Sequence, residues 1–219
     1  MKTQRISAGE VIDKLLEGGF EKGIISAIYG PAAAGKTTAA MLVAKTVAED
    51  KKIYFVDTEG GFSVERFTQL APRENLKKIL LMKPVNFQEQ FKTIHTISNN
   101  INYKIGLVVV DTISSLYRVE KARSLKEANN VLNLQISLLM ELARKNNLPV
   151  IITSQVYSDF ETKDSVKIVG GDYIKNSAKT LIELKSEPRK AVVKKHRSLP
   201  ENKEVEFMIT NEGFKTINP

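Results

Sequence analysis

Apolar and polar positions along this chain alternate between two rhythms. Uninterrupted apolar runs of strand length occur at 24–29, 53–57, 79–82, 107–111 and 150–154, and stretches of helical spacing lie between them near 37–49, 63–70, 86–99 and 124–147. Runs such as Leu107-Val108-Val109-Val110 lack the alternation of a strand with one wet face, so they are expected to be covered on both sides. Strand and helix in turn predict an α/β fold: a mainly parallel sheet between helices. From about residue 180 the rhythm changes. Segments 180–184, 191–195 and 204–210 read as three strands with no helix between them, which predicts an antiparallel extension on the sheet edge.

Local signals refine this outline. Ser7-Ala8-Gly9-Glu10 reads as a capping box, with the Ser hydroxyl and Glu carboxylate taking the free backbone donors of a helix start. Val11, Ile12, Leu15 and Leu16 then share one apolar face, and Gly18-Gly19 can stop the helix. Ser124 and Glu127 give the last long helix a similar start. No repeat, low-complexity tract or Gly/Ser/Pro-rich linker interrupts the chain, so residues 1–219 are expected to form a single core domain.

Composition narrows the function. With 42% hydrophobic and 26% charged residues the chain is an ordinary soluble globular sequence, no apolar run is long enough to span a bilayer, and the N-terminus has no signal-peptide pattern. A cytoplasmic protein with no membrane partner is expected. The absence of Cys excludes disulfides, thiolate zinc sites, iron–sulfur clusters and a cysteine nucleophile, and only His95 and His196 are available for imidazole chemistry. Thirty-three Lys and Arg against twenty-five Asp and Glu give a net charge of +8. That balance suits a polyanion, nucleic acid before a membrane surface, although a Lys-rich solvated surface looks the same.

Gly30-Pro31-Ala32-Ala33-Ala34-Gly35-Lys36-Thr37 matches G-x-x-x-x-G-K-[ST] between a predicted strand and a predicted helix, with Thr38 next in line. The spacing has a physical reason. Small residues let backbone N–H groups curl around a β-phosphate at a helix N-terminus, Lys36 reaches the β- and γ-phosphates, and the Thr37 hydroxyl can ligate Mg²⁺. A chance match is on the order of one per cent in a chain this long. ATP and Mg²⁺ are the cofactors expected.

Three strand ends carry further candidates. Asp111 closes the 107–110 run, where a carboxylate beside the phosphate loop can hold magnesium through water; the plain alternative is an Asp that caps a turn. In Asp57-Thr58-Glu59-Gly60, Glu59 is the better candidate to orient or deprotonate an attacking water, and Asp57 is the more structural of the two. Gln155, after Ser154, could touch the γ-phosphate or the water, or be an ordinary polar strand terminus.

With these segments in view, the chain resembles the RecA-type recombinases, and most closely their archaeal paralogue branch. The resemblance rests on Leu16-Glu17-Gly18-Gly19-Phe20-Glu21-Lys22-Gly23, on Asp57-Thr58-Glu59-Gly60-Gly61-Phe62-Ser63-Val64-Glu65-Arg66 and on Val109-Val110-Asp111-Thr112-Ile113-Ser114-Ser115-Leu116-Tyr117-Arg118. Ser154-Gln155-Val156, Gly170-Gly171 and Leu199-Pro200-Glu201 follow in family order. It implies a RecA core that binds ATP, Mg²⁺ and DNA and serves recombination and repair. It also implies Glu59 as catalytic carboxylate, Asp111 as Walker B aspartate and Gln155 as γ-phosphate sensor. Its archaeal branch looks like a weak ATPase that binds DNA, single-stranded or branched, without driving strand exchange, with the main recombinase RadA and a Holliday-junction nuclease as the partners implied.

Departures from the family matter as much. Only 29 residues precede Gly30, too few for the N-terminal helical DNA-binding domain, and no Phe is followed three residues later by Ala, so filament assembly through a Phe-x-x-Ala segment is in doubt and homo-oligomerisation stays open. The family's two DNA loops map to about 118–125 and 156–169. The first, with the start of the next helix, sets Arg118, Lys121, Arg123 and Lys126 against Glu120 and Glu127; the second sets Lys163 and Lys167 against Asp159, Glu161 and Asp164, with Tyr157 and Phe160 available to stack on bases. Segment 185–203 is the densest positive stretch: Lys185, Arg189, Lys190, Lys194, Lys195, Arg197 and Lys203 against Glu187 and Glu201. By the resemblance, Lys194-Lys195-His196-Arg197 occupies the stretch that caps ATP from a neighbouring subunit. A contact to that ATP, a contact to a DNA backbone and a solvated basic edge that blocks sheet pairing are the three readings. Two functions remain: a DNA-binding ATPase accessory to recombination, and a nucleotide-gated adaptor whose turnover is incidental.

Overall fold

The computed structural model describes residues 4–158 and 166–217. In chain order its elements are β1 (Arg5–Ile6), α1 (Glu10–Leu16), β2 (Phe20–Glu21), β3 (Ile25–Tyr29), α2 (Lys36–Val47), β4 (Lys52–Asp57) and α3 (Val64–Leu70). A 3-10 turn at Arg73–Lys78 leads to β5 (Ile79–Met82), α4 (Phe87–Asn100), β6 (Ile105–Asp111), α5 (Ser115–Arg123), α6 (Leu125–Asn146) and β7 (Val150–Ser154). Then come β8 (Val156–Ser158), β9 (Val166–Ile168), α7 (Gly171–Ser177), β10 (Thr180–Ser186), β11 (Arg189–Lys195), β12 (Glu204–Thr210) and β13 (Gly213–Thr216).

Nine strands make one sheet in the order β13-β12-β11-β10-β3-β7-β6-β4-β5. From β10 to β5 every neighbour is parallel, and β10 to β13 are joined antiparallel, as the change of rhythm predicts. The apolar runs are continuous because both faces are covered. Leu107 and Val109 of β6 enter the core under α1, α2 and α3, while Val108 and Val110 enter the core under α4, α5 and α6. In the extension one face packs into the core: Ala191, Val193, Val205, Phe207 and Phe214 lie toward α1 and α2. The opposite face carries Lys190, Lys194, Glu204 and Met208.

β3 lies where the chain reverses direction across the sheet, with β10 on one side and β7 on the other. Such a switch point opens a crevice at the carboxyl ends of the strands, and the segments after β3, β4, β6 and β7 all meet there.

Several local readings need correction. The capping box at residues 7–10 is absent: Gly9 is the N-cap, and it is Asp13 that accepts from the Ser7 hydroxyl and from the Ala8 N–H at 2.8 Å. Glu10 faces the other way and accepts from Thr216. Asp13 sits one turn into the helix and so closes the same end in a different register. Ser124 caps α6 by position only, with no side-chain hydrogen bond. The 118–125 stretch, taken as a loop, is largely α5. Its one fully buried side chain is Tyr117, whose ring lies 5.9 Å from Phe87 and whose hydroxyl donates to Asn129 at 2.7 Å. A helix anchored by a single residue leaves too weak a periodicity to see in sequence.

Candidate active site

The loop from β3 into α2 is a cradle of backbone donors. Gly30 starts it under a tight ceiling: a Cβ there would lie 2.2 Å from the Leu184 carbonyl oxygen of β10, so no larger residue fits. Pro31, Ala32, Ala33 and Ala34 form the crest, Gly35 (φ +103) is the N-cap of α2, and Lys36, Thr37 and Thr38 open that helix with their N–H groups pointing into the crevice. Lys36 is 8% exposed. Its Nζ donates to the carbonyls of Gly30 (2.9 Å) and Pro31 (2.6 Å), and burial lowers its pKa against the charges of Glu59 and Asp111.

Asp111, at the end of β6, stands beside α2. Its carboxylate accepts from the Thr37 hydroxyl at 2.7 Å and from the Thr153 hydroxyl of β7. Burial raises its pKa, and the two hydroxyl donors oppose that shift. Next to them Gly61 leaves a gap: a Cβ there would come 3.3 Å from Thr37 Oγ1 and 3.7 Å from Asp111 Oδ2. Two hard oxygen donors beside a space kept clear by a missing side chain suit Mg²⁺, which takes few protein ligands and completes its shell with phosphate oxygens and water.

Glu59 faces the same crevice from the loop after β4. Its Oε1 accepts from Gln155 Nε2 at 2.6 Å and from the Thr112 hydroxyl at 3.1 Å, which fixes the carboxylate between the ends of β6 and β7. Thr112 Oγ1 also accepts from the Ser115 N–H at 3.1 Å, the first turn of α5. Asp57 has the structural job expected of it, accepting from the N–H groups of Glu59 (3.3 Å), Gly61 (3.0 Å) and Phe62 (3.1 Å) and so shaping the loop that presents Glu59. Lys36, Thr37, Asp111, Glu59 and Gln155 thus converge from four separate loops.

The sequence profile of the Rad51 family matches residues 2–217. The chain belongs to the Rad51 family. Curated relatives include the DNA repair and recombination protein RadB of Methanococcoides burtonii, 37% identical over 98% of this chain and 99% of the relative, and that of Methanoculleus marisnigri, 38% identical over 99% and 100%. A solved structure described as the RadB recombinase superposes with a TM-score of 0.83 at 36% identity, covering 97% of this chain and 100% of the other. The resemblance read from the motifs, including its archaeal branch, is therefore met.

Within this Rad51-family frame the basic candidates divide. Arg118, Lys121 and Arg123 are exposed on α5, with Arg123 3.7 Å from Glu120, and their end of α5 adjoins a cleft lined by Lys121, Leu125, Tyr157 and Tyr173. The β10–β11 group is largely engaged within the chain. Lys190 pairs with Glu204 (2.7 Å) and Glu206 (3.0 Å), Lys203 with Glu17 (2.9 Å), and Arg197 with the buried Glu21 (2.6 Å). Lys195 donates to the Lys175 carbonyl (2.6 Å) and Lys194 to Asn202 (3.0 Å). His196 is turned inward, its side chain 1% exposed and its Nε2 3.9 Å from Glu21, so it presents no surface group to DNA or to a neighbour. Asp159, Phe160, Glu161, Lys163 and Asp164 of the second loop lie outside the described residues.

Sequence reasoning missed Thr112, Thr153 and Gly61. Thr112 directly follows the acidic strand end and could have been found as a hydroxyl beside it; Thr153 and Gly61 matter only through partners distant in the chain, Asp111 for the first and Thr37 and Asp111 for the second.

Proposed function

We infer that this chain is an ATP- and DNA-binding accessory protein of recombination and repair, a single core that hydrolyses ATP slowly and acts on the main recombinase RadA or on junction processing. The observation that carries this reading is the convergence of the phosphate loop, Asp111, Glu59 and Gln155 at one crevice in a chain of Rad51 ancestry. Mg²⁺ bound between Thr37 and Asp111 would supply positive charge to the β- and γ-phosphates. Lys36 adds a fixed cation to the same oxygens. Glu59 is placed to take a proton from water at its Oε2, because Gln155 and Thr112 both hold Oε1. Gln155 reaches that carboxylate with the end of β7 and the β8–β9 hairpin behind it, so a change at Glu59 is felt on the proposed DNA side. The names of the RadB relatives support the role in repair.

A second reading, a nucleotide-gated adaptor, is favoured by the pairing of Lys190, Arg197 and Lys203 with Glu204, Glu206, Glu21 and Glu17, and by the exposed Leu125, Tyr157 and Tyr173 that line the α5 cleft. Hydrolysis and strand exchange measured with and without single-stranded and branched DNA decide between them. Slow turnover with DNA binding and no strand exchange supports the accessory role. Absent DNA binding with nucleotide binding intact would leave the adaptor, and strand exchange by this chain alone would contradict both.

A further inference from the structure

The turn between β10 and β11 lies over the phosphate loop. Arg189, the first residue of β11, donates from Nη1 to the Ala33 carbonyl at 2.9 Å across 156 residues of sequence. β10 brings the two together by pairing with β3 up to Glu183 and Tyr29, one residue short of Gly30. On the far side of the loop the Phe214 ring and Ile209 come within 3.0 and 3.1 Å of where a Gly35 Cβ would stand. The antiparallel extension, not the parallel half, therefore walls the phosphate loop on two sides.

The Arg189 bond acts on a strained peptide. Ala33 has φ +58, a left-handed conformation that an L-residue with a Cβ avoids unless something holds it. In a trans peptide the C=O and the following N–H point in opposite directions. Holding the Ala33 carbonyl outward on Arg189 therefore turns the Ala34 N–H inward, where it is directed at the Pro31 carbonyl at 3.4 Å. Lys36 Nζ donates to that same carbonyl at 2.6 Å. Amide and ammonium share the Pro31 carbonyl as acceptor, so the two donors lie side by side in the cradle, where an anionic oxygen could take them over from it. A flip of the 33–34 peptide would aim a carbonyl oxygen there instead. The neighbouring Lys190 is already neutralised by Glu204 and Glu206, which leaves the guanidinium of Arg189 directed at the loop.

We propose that Arg189 is a positioning residue for the phosphate site, holding the Ala33–Ala34 peptide in the orientation that receives the terminal phosphates of a nucleotide. This rests on the nucleotide-binding reading above and adds to it a residue from outside the motif. Arginine suits the task because it stays charged at any accessible pH and its fork keeps further donors free.

The test compares wild type, Arg189→Met, Arg189→Lys and Lys36→Ala, with MgADP and MgATP as probes in calorimetry. Arg189→Met is expected to weaken both nucleotides about fivefold, the worth of roughly one hydrogen bond, to raise KM by the same factor and to leave kcat in place. The melting temperature without nucleotide and the salt dependence of DNA binding stay unchanged, and Arg189→Lys recovers part of the loss. Unchanged affinity in Arg189→Met beside a large loss in Lys36→Ala overturns the role of Arg189 and leaves the site standing. Unchanged affinity in both variants removes the site and this inference with it. Intact nucleotide affinity with a salt slope lower by about one makes Arg189 a DNA-phosphate contact and also overturns the proposal.

Discussion

The parallel half of the sheet and its antiparallel extension solve different problems with the same layer of strands. In the parallel half, helices cover both faces, and the buried Asp57, Asp111, Thr153 and Ser154 sit at strand ends where they tie loops or face the crevice. Both of these carboxylates are met by several donors: Asp57 by three N–H groups, Asp111 by two hydroxyls. In the extension one face is wet, and charge is handled pairwise on the surface, as between Lys190 and Glu204. The exception is Glu21, 2% exposed and held by Arg197 from above. The contrast separates a half whose buried carboxylates gather at the strand ends from a half whose charges mostly pair with one another, and it warns against reading a basic segment from its charge count alone.

Cutting each half in turn should move different observables. Lys36→Ala removes a cation from a preformed cradle, and nucleotide affinity should fall on the order of a hundredfold or more, while the salt slope of DNA binding keeps its value. Replacing Lys194 and Lys195 by Ala should do the reverse. Each phosphate contact contributes about 0.7 to 0.9 to the slope of log affinity against log salt, so a drop of one to two units with nucleotide affinity intact is expected from a DNA-facing edge. No change in slope, with self-association lost, would make the edge a subunit interface. Arg197 is left out of that pair because its removal would strand Glu21 as a buried, poorly paired carboxylate.

The smallest effect concerns pH. Burial lowers the pKa of His196 against the pull of Glu21, with Arg5 and Arg197 adding to the lowering and Glu17 opposing it. A histidine depressed in the folded state contributes stability that is present above its unfolded value of 6.5 and lost as pH falls toward its folded value. Unfolding monitored by denaturant should therefore show stability declining as pH drops below 6.5, and His196→Gln should flatten the decline. An equal slope in both proteins would place the titration elsewhere.

Much of the fold is legible in the sequence because its signals are contiguous. The phosphate loop is eight consecutive residues between a strand and a helix, and buried parallel strands announce themselves as runs like Leu107-Val108-Val109-Val110. What stayed hidden depends on partners far away in the chain. Glu59 and Gln155 are 96 residues apart and meet at 2.6 Å only because β4 and β7 share a sheet end. Arg197 looks free in sequence and finds Glu21 in a two-residue strand too short to show a period. Ser7 carries a correct helix-start signal with the wrong carboxylate, since nothing local distinguishes Glu10 from Asp13.

The crevice at the carboxyl ends of β3, β4, β6 and β7 is proposed both to bind ATP and to activate the water that attacks it, with Glu59 responsible only for the second step. Glu59→Gln keeps the side chain's shape and removes its capacity to take a proton. Binding and hydrolysis of MgATP measured side by side on this variant should show affinity close to wild type and turnover lower by ~10²–10⁴, the usual loss of a general base. Hydrolysis at the wild-type rate would contradict the account and return Glu59 to a structural role.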